Sequence, residues 1–552
     1  MGPWDSGLFA DVSAERTRPC AHGGPLILAP THLSMPQPSS PHFRLAWMTP
    51  LLFWGMAGTL QSWIRPAGTF EVNEGIELLK VGVLKHDALW FRSMWDDQPG
   101  TLMWILSWIF HWTGPSVLAG RFLVMALNAG LLGLLARTLE ARLGRGSSLA
   151  LAPLLLSDST ALQLMGSVML EPSSIPFALG GAVLFWNRLE RPKARTSAFS
   201  GALTGLGLAI KLTAVLPAQL AGWAYLWALW EARHHPDTAI RRRRLHLQAA
   251  IHAGTAILVC TCAYWLGDYD LRILSQSHVV GVLKAQPFGQ SLPAAFWISI
   301  GAWMSVLPAL ALLPSSLIIC RTHPTHRAWT LPWLATLLST TAVFSIYPFW
   351  HNYYVIHFTL PLAAIAAPTL ALLIRGLLAR LPASPFTRPT LVAVTIAGSA
   401  WMLSDSLALF RRQPTADRSA ALQETRALLS EYRGALGSVF ASTPHLYLFE
   451  SGVLPVKGLE VVVEKRRQCG NLTPKSVLET LRQTPPGAII ADPLRSSTSI
   501  YNPFNREFLD SGYSLILENG VGEVWIRKDL VQRLGITRRP NRTARLIEEL
   551  KL

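Results

Sequence analysis

RRRRLHLQAAIHAGTAILVCTCAYWL, residues 241–266, sets four consecutive arginines, Arg241 to Arg244, ahead of an apolar run over 247–266. A bilayer core takes about 20 apolar residues in one helix, so the run is long enough to cross. Lys and Arg are retained on the cytoplasmic side, so the four cations also say which way it crosses. Upstream, residues 199–232 are apolar enough to be one long helix. One crossing there would leave Arg241 outside. Two crossings, 199–213 and 214–232, bring it back, and Pro217 suits a break between them. The same parity splits 147–188 into short crossings at 147–159 and 173–188, on either side of Asp158 to Glu171.

Working outward, further apolar runs lie at 45–64, 115–137, 292–320, 328–347, 354–378 and 390–409. The loops between runs alternate. One set is basic, with Arg137 and Arg142, Arg188 and Arg195, Arg321 and Arg327, then Arg375 and Arg380. The intervening turns near 159–172, 214 and 348–353 hold no Lys or Arg. Together they predict about eleven transmembrane helices, with the N-terminus cytoplasmic and the C-terminus outside. The apolar helix 101–113 does not fit the parity. It is expected at the outer interface, anchored by Trp104, Trp108 and Trp112.

Composition agrees. Of 552 residues, 50% are hydrophobic and 15% charged, against about 25% charged in a soluble domain. That excludes one large soluble core and, equally, a disordered chain. The net charge of +16 could suggest a nucleic-acid binder, but much of it sits in the cytoplasmic loops, where it sets topology. No nucleic-acid partner is implied. Cys20, Cys260, Cys262, Cys320 and Cys469 form no CxxC pair and no zinc-spaced set with His, so they read as inert thiols.

The ends differ from the middle. Residues 1–44 are rich in Pro, Ser and His, without period or signal-peptide layout. They read as disordered, or as lying ahead of a true start at Met35 or Met48. Residues 411–527 alternate helix and strand patterns, as a small α/β domain outside the membrane does. Ala420–Tyr432 reads as a helix. Ser438–Ala441, Leu459–Val463, Ala488–Ala491, Ser514–Leu517 and Glu523–Ile526 read as strands. No GxGxxG or Walker A pattern is present, so nucleotide binding is unsupported. The tail, 528–552, is basic.

With sidedness set, the unusual polar residues collect on the outer side. The loop 65–114 holds Glu71, Glu74, Asp87, Asp96 and Asp97. Asp158, Glu171, Lys211, Asp268 and Asp270 stand near outer helix ends, and His351, Tyr353 and Tyr354 form an outer turn. Each has a plain structural role open to it. Asp158 can cap a helix, and Glu171 before Pro172 can sit in a first helical turn. Lys211 can snorkel, and the His351 turn can belong to an aromatic belt. Their shared side favours function. A channel would spread such groups through the membrane depth, and a transporter would gather them near the midplane. One outer face suits an enzyme with a cavity open to lipid and to the outside.

The order of short motifs adds a resemblance. Glu71-Val72-Asn73-Glu74-Gly75 leads into a helix from Ile76 to Val83. Asp97-Gln98-Pro99-Gly100-Thr101-Leu102 opens an amphipathic helix, and Gly114 with Arg121-Phe122-Leu123 leads the next span. Met169-Leu170-Glu171-Pro172, the glycine-rich Gly201 to Lys211, and His351-Asn352-Tyr353-Tyr354 with Pro361 follow in order. In this order, sidedness and spacing the chain resembles GT-C class membrane glycosyltransferases of the protein-mannosyltransferase and aminoarabinose-transferase type, also described by the RgtA/B/C/D-like domain. The resemblance covers about 45–410, and loosely the α/β domain.

The resemblance implies a polyprenyl-phosphate sugar as donor, presented in the outer leaflet of the inner (plasma) membrane. The acceptor would be a glycan, a lipid or a protein. It implies inversion, with a carboxylate of the first motif as general base. Asn73 stands where the family has its catalytic Asp, and Asn cannot act as a base. Glu71 or Glu74 would take that role, with Glu71 preferred. Lys211 and His351, with Arg92, would meet the leaving phosphate. Asp97, Asp158, Glu171, Tyr353 and Tyr354 would bind substrate. No cofactor is implied, and no spacing demands a divalent metal. The competing readings are a transporter or lipid-linked flippase, and a non-catalytic membrane scaffold. An outward cavity surrounded by Glu71, Glu74, Asp158, Glu171, Lys211 and His351 would separate the enzyme from both.

Overall fold

A computed structural model describes residues 47–64, 72–96, 98–144, 146–189, 193–234, 238–267, 271–275, 306–346, 351–380, 398, 406, 416–441, 446–491 and 499–539. Glu71, Asp97, Asp268, Asp270, the predicted span 390–409 except residues 398 and 406, and the first part of 292–320 lie outside them, as do 1–44 and the end of the tail.

The described residues open with α1 (Met48–Ile64), followed by the helices of the predicted outer loop, α2 (Val72–His86), α3 (Ala88–Ser93) and α4 (Thr101–Thr113). Asp87 caps α3 by accepting from Leu89 N at 2.8 Å. At 13 residues, α4 is about 20 Å long, too short to cross. One face buries Leu102, Met103, Leu106 and Phe110, while Trp108 and Trp112 stand exposed on the other.

The bundle continues with α5 (Val117–Leu143), α6 (Ser147–Leu156), α7 (Ser159–Leu164), α8 (Leu170–Arg188), α9 (Ala194–Ile210), α10 (Val215–Ala232) and α11 (Thr238–Gly267). After the short α12 (Leu271–Ser275) come α13 (Leu307–Thr322), α14 (Pro324–Ile346) and α15 (Ile356–Arg380). Among the described residues, four helical stretches are long and apolar enough to cross a membrane on their own: α5, Leu212–Ala232, α11 and Tyr353–Arg380. The chain is a multi-pass membrane protein of mostly helical build.

The split within 199–232 is present, but Pro217 does not cause it. The break falls at Lys211, which is extended (φ −152°, ψ 130°) between α9 and a 3-10 turn at Leu212–Ala214. Pro217 lies in the first turn of α10, where its missing N–H costs nothing. The split within 147–188 runs through α7, with Asp158 as its N-cap.

Helices α8, α9 and α11 pack backbone to backbone. A Cβ on Gly201 would lie 2.2 Å from His252 O, and one on Gly205 would lie 2.3 Å from Ala256 O. Small residues allow that approach. Ser200 Oγ, 2.9 Å from His252 Nδ1, and Ser197, bonded to Gln248, tie the same seam. Toward the basic loops, Trp186 stacks on Trp329 at 4.9 Å, and Arg142 covers Trp186 at 4.8 Å.

The C-terminal domain contains α16 (Ala416–Glu431), α17 (Arg433–Leu436), β1 (Ser438–Ala441), α18 (Leu446–Ser451), β2 (Leu454–Pro455), α19 (Glu464–Gln468), α20 (Pro474–Gln483), β3 (Ala488–Ala491), α21 (Arg506–Gly512), β4 (Tyr513–Asn519), β5 (Gly522–Arg527) and α22 (Lys528–Leu534). The sheet order is β2-β1-β3-β5-β4, with β1 parallel to β2 and β3, and β5 antiparallel to β3 and β4. Strand alternation sends Val439, Ile490 and Val524 into one apolar layer and Phe440, Ile489 and Trp525 into the other.

Leu459–Val463 is not a strand. It is an irregular segment whose apolar residues serve two contacts. Val461 packs with the outer-loop helices, whereas Leu459 and Val462 pack under the sheet. A capping box opens α20: Thr473 Oγ1 accepts from Ser476 N at 3.1 Å, and Thr473 N donates to Ser476 Oγ at 2.8 Å. Thr473→Ala is expected to cost about 1 kcal/mol of domain stability, read as a lowered unfolding midpoint with transport of the rest of the chain to the membrane unchanged.

Candidate active site

One apolar cluster positions the outer-loop helices. Ile76, Leu78 and Val81 of α2 share it with Phe91, Trp95 and Leu106, with Val168 and Ile210 of the bundle, and with Phe449 and Val461 of the C-terminal domain. Phe110 and Phe449 meet at 5.3 Å. Trp90 Nε1 donates to Glu460, and Arg466 lies over the Trp95 ring at 5.5 Å. The C-terminal domain is therefore docked on the outer loop, which holds α2 in place.

Polar side chains emerge from α2 on two faces. Glu74, fully buried, faces the bundle. Its Oε1 accepts from Arg121 Nε at 2.9 Å and from Val168 N at 2.8 Å, and its Oε2 accepts from Arg121 Nη2 at 2.6 Å. A carboxylate so engaged is an anchor between α2, α5 and the turn before α8. It is poorly placed to collect a proton, in contrast to the expectation that it serves as a base. Glu77 and Lys80 leave α2 on the other face. Lys80 Nζ donates to both Glu77 oxygens at 3.2 Å and to Asp96 Oδ1 at 2.8 Å. All three side chains are nearly buried. Burial pushes the Glu77 carboxyl up to about 7; Lys80 and Lys211 pull it down, and Asp96 pushes it up.

Lys211, at the α9 break, is the hub. Its Nζ is 3.0 Å from Glu171 Oε1 in the first turn of α8. Its charge also acts on Glu77, His351 and His357. His351 stacks on Tyr353 at 4.9 Å with the rings 7° apart, and Tyr353 meets Tyr354 edge-on at 4.7 Å. Loss of hydration on its protein side pushes the His351 imidazole below the ordinary histidine range; Glu171 pulls it back, and Lys211 and Lys465 add to the fall. Lys465 belongs to α19, so the docked C-terminal domain contributes a cation here.

The expected residues thus divide. Glu171, Lys211, His351 and Tyr353 come together, joined by Tyr354. Asp158 takes its structural role: Oδ1 accepts from Thr160 N and Ala161 N, each at 3.0 Å, and Oδ2 accepts from Thr359. Arg92 is exposed on α3. Glu71 and Asp97 lie outside the described residues.

Sequence reasoning passed over Glu77 and Lys80, although their spacing from Asn73 was a signal, and Lys465, which had none. It also passed over His357, buried on α15 with Phe344 and Tyr354 around it. Neither of its ring nitrogens has a hydrogen-bond partner among the described residues. Among those residues no group of three or more His, Cys, Asp or Glu side chains is arranged to hold a metal ion.

No family model and no curated protein matches the chain. Solved structures do. ArnT from Cupriavidus metallidurans bound to undecaprenyl phosphate is similar at TM-score 0.58 and 12% identity, over 86% of this chain and 97% of that one. ArnT from Cupriavidus metallidurans in the apo state is similar at TM-score 0.54 and 14% identity, over the same shares of 86% and 97%. The coverage includes nearly all of ArnT, so the chain has the fold of a GT-C class membrane glycosyltransferase of the aminoarabinose-transferase type.

Proposed function

We propose that the protein transfers a sugar from a polyprenyl phosphate to an acceptor hydroxyl at the outer face of the membrane, with inversion at the anomeric carbon. The observation that carries this is the gathering of Glu77, Glu171 and His351 around Lys211, on a fold shared with a protein bound to undecaprenyl phosphate. The basic loops support the outer sidedness, with the N-terminus cytoplasmic and the C-terminal domain extracytoplasmic.

In this reading Lys211 turns from Glu171 to the lipid phosphate as charge develops on the leaving oxygen. The His351–Tyr353 stack offers a flat wall for the sugar. Glu171, with Asp97, orients hydroxyls, and Asp158 holds α7 against α15. The acceptor oxygen attacks the anomeric carbon while a carboxylate of the first outer loop takes its proton. Glu71 is the first motif's remaining candidate for that carboxylate, since Arg121 and Val168 occupy Glu74.

Lys211→Met is expected to lower transfer about 10²–10³-fold, as loss of one preorganised donor to a developing charge does. The assay is release of undecaprenyl phosphate from radiolabelled undecaprenyl-phosphate glycosides by the full chain in proteoliposomes. Unchanged release in that variant would sink the role given to Lys211.

A further inference from the structure

Asn73, Glu77 and Lys80 follow one another at intervals of four and three residues in α2, so they share one helix face. Glu74 is turned away from it, into Arg121. Along the shared face, among the described residues, Lys80 bonds to two acids. Lys80 Nζ is closer to Asp96, at 2.8 Å, than to Glu77, at 3.2 Å from each oxygen. Asp96 Oδ1 also accepts from Gln98 N at 3.1 Å. Glu77 is thus the more loosely held carboxylate, and one turn separates it from the amide of Asn73.

Resting on the transfer reading above, we propose that Glu77 is the general base of this protein, standing one turn along the same face from the asparagine that cannot take a proton. Among the described residues, the charged groups acting on Glu77 are Lys80 on its own helix, Asp96 from the loop before α4, and Lys211 from the end of α9. Burial outweighs the two lysines and leaves the carboxyl titrating at about 7, where a base both exists in its charged form and accepts a proton readily. The step balances. The acceptor oxygen forms its bond to the anomeric carbon, the carbon–phosphate oxygen bond breaks, the lipid phosphate keeps the electron pair, and the hydroxyl proton passes to Glu77.

The test uses the full chain in proteoliposomes with undecaprenyl-phosphate aminoarabinose, mannose and galactose as donors and a membrane extract as acceptor. Activity of the unaltered protein should rise with pH through a limb near 7, as Glu77 loses its proton. Glu77→Gln should lower transfer about 10²–10⁴-fold with the unfolding midpoint retained. Asn73→Asp added to Glu77→Gln should restore at least about tenfold of that loss, with the limb moved to lower pH because an ordinary Asp titrates near 3.9. Lys80→Met should move the limb to higher pH, since the cation that lowers the Glu77 carboxyl is gone; a purely structural Glu77 would show no such movement. Wild-type activity in Glu77→Gln overturns the assignment. So does loss of the limb in Glu71→Gln while Glu77→Gln keeps it, or a Glu77→Gln loss that Asn73→Asp does not restore alongside an unmoved limb in Lys80→Met. Absence of release by the unaltered protein from all three donors counts instead against the transfer reading, and the assignment falls with it.

Discussion

Arg121→Met is expected to be among the most destabilising single changes in this protein, at about 3–5 kcal/mol. Glu74 and Arg121 are both buried, at 0% and 1% exposure, and pair through two hydrogen bonds. Removing the guanidinium leaves a carboxylate in the interior with, among the described residues, only Val168 N as donor. The cost is mostly the desolvation of the stranded carboxylate. Glu74→Gln/Arg121→Leu is therefore expected to recover more than half the loss, since the amide oxygen keeps Val168 and no ion is buried. Thermal unfolding in detergent measures both. A midpoint in Arg121→Met equal to that of the unaltered protein would show that the pair does not hold the outer loop.

Gly201→Val is expected to cost about 3 kcal/mol or more, the upper end for overpacking. A Cβ there would lie 2.2 Å from His252 O, which is backbone and cannot swing aside. Helix α11 would have to move, breaking the Ser200–His252 and Ser197–Gln248 bonds with it. The comparison is Gly254→Ala on α11, where nothing lies within 4 Å of the added atom. That change is expected to be stabilising by about 0.5–1 kcal/mol, because a mid-helix glycine is entropically costly. Equal midpoints for the two variants would refute close packing of α9 on α11.

Two divisions of the bundle were legible from loop charge, because the positive-inside rule reads where Arg and Lys fall in the sequence and not what the helices touch. That logic placed two helices within 199–232 and two within 147–188, and both divisions are present. It misjudged the cause of the first break. Pro217 was the visible helix breaker, but the break falls at Lys211, which is extended and whose side chain reaches Glu171 on another helix. Leu459–Val463 misled for a similar reason. Its β-branched run matched a strand pattern, while its burial comes from docking against the outer-loop helices and the underside of the sheet.

The amino-acid sequence by itself determined the class of the protein, the division of its described apolar stretches into helices, and four of five strands. Hydrophobic period and charge bias are local properties that need no partner. Only the tertiary structure decided which acids are spent on architecture and which remain for chemistry. Glu74 and Glu77 are three residues apart on one helix, and nothing in their order separates them. Arg121 and Val168 reach one; Lys80, Asp96 and the field of Lys211 reach the other. The protonation behaviour of a carboxylate is set by its neighbours in space, and folding chooses those neighbours.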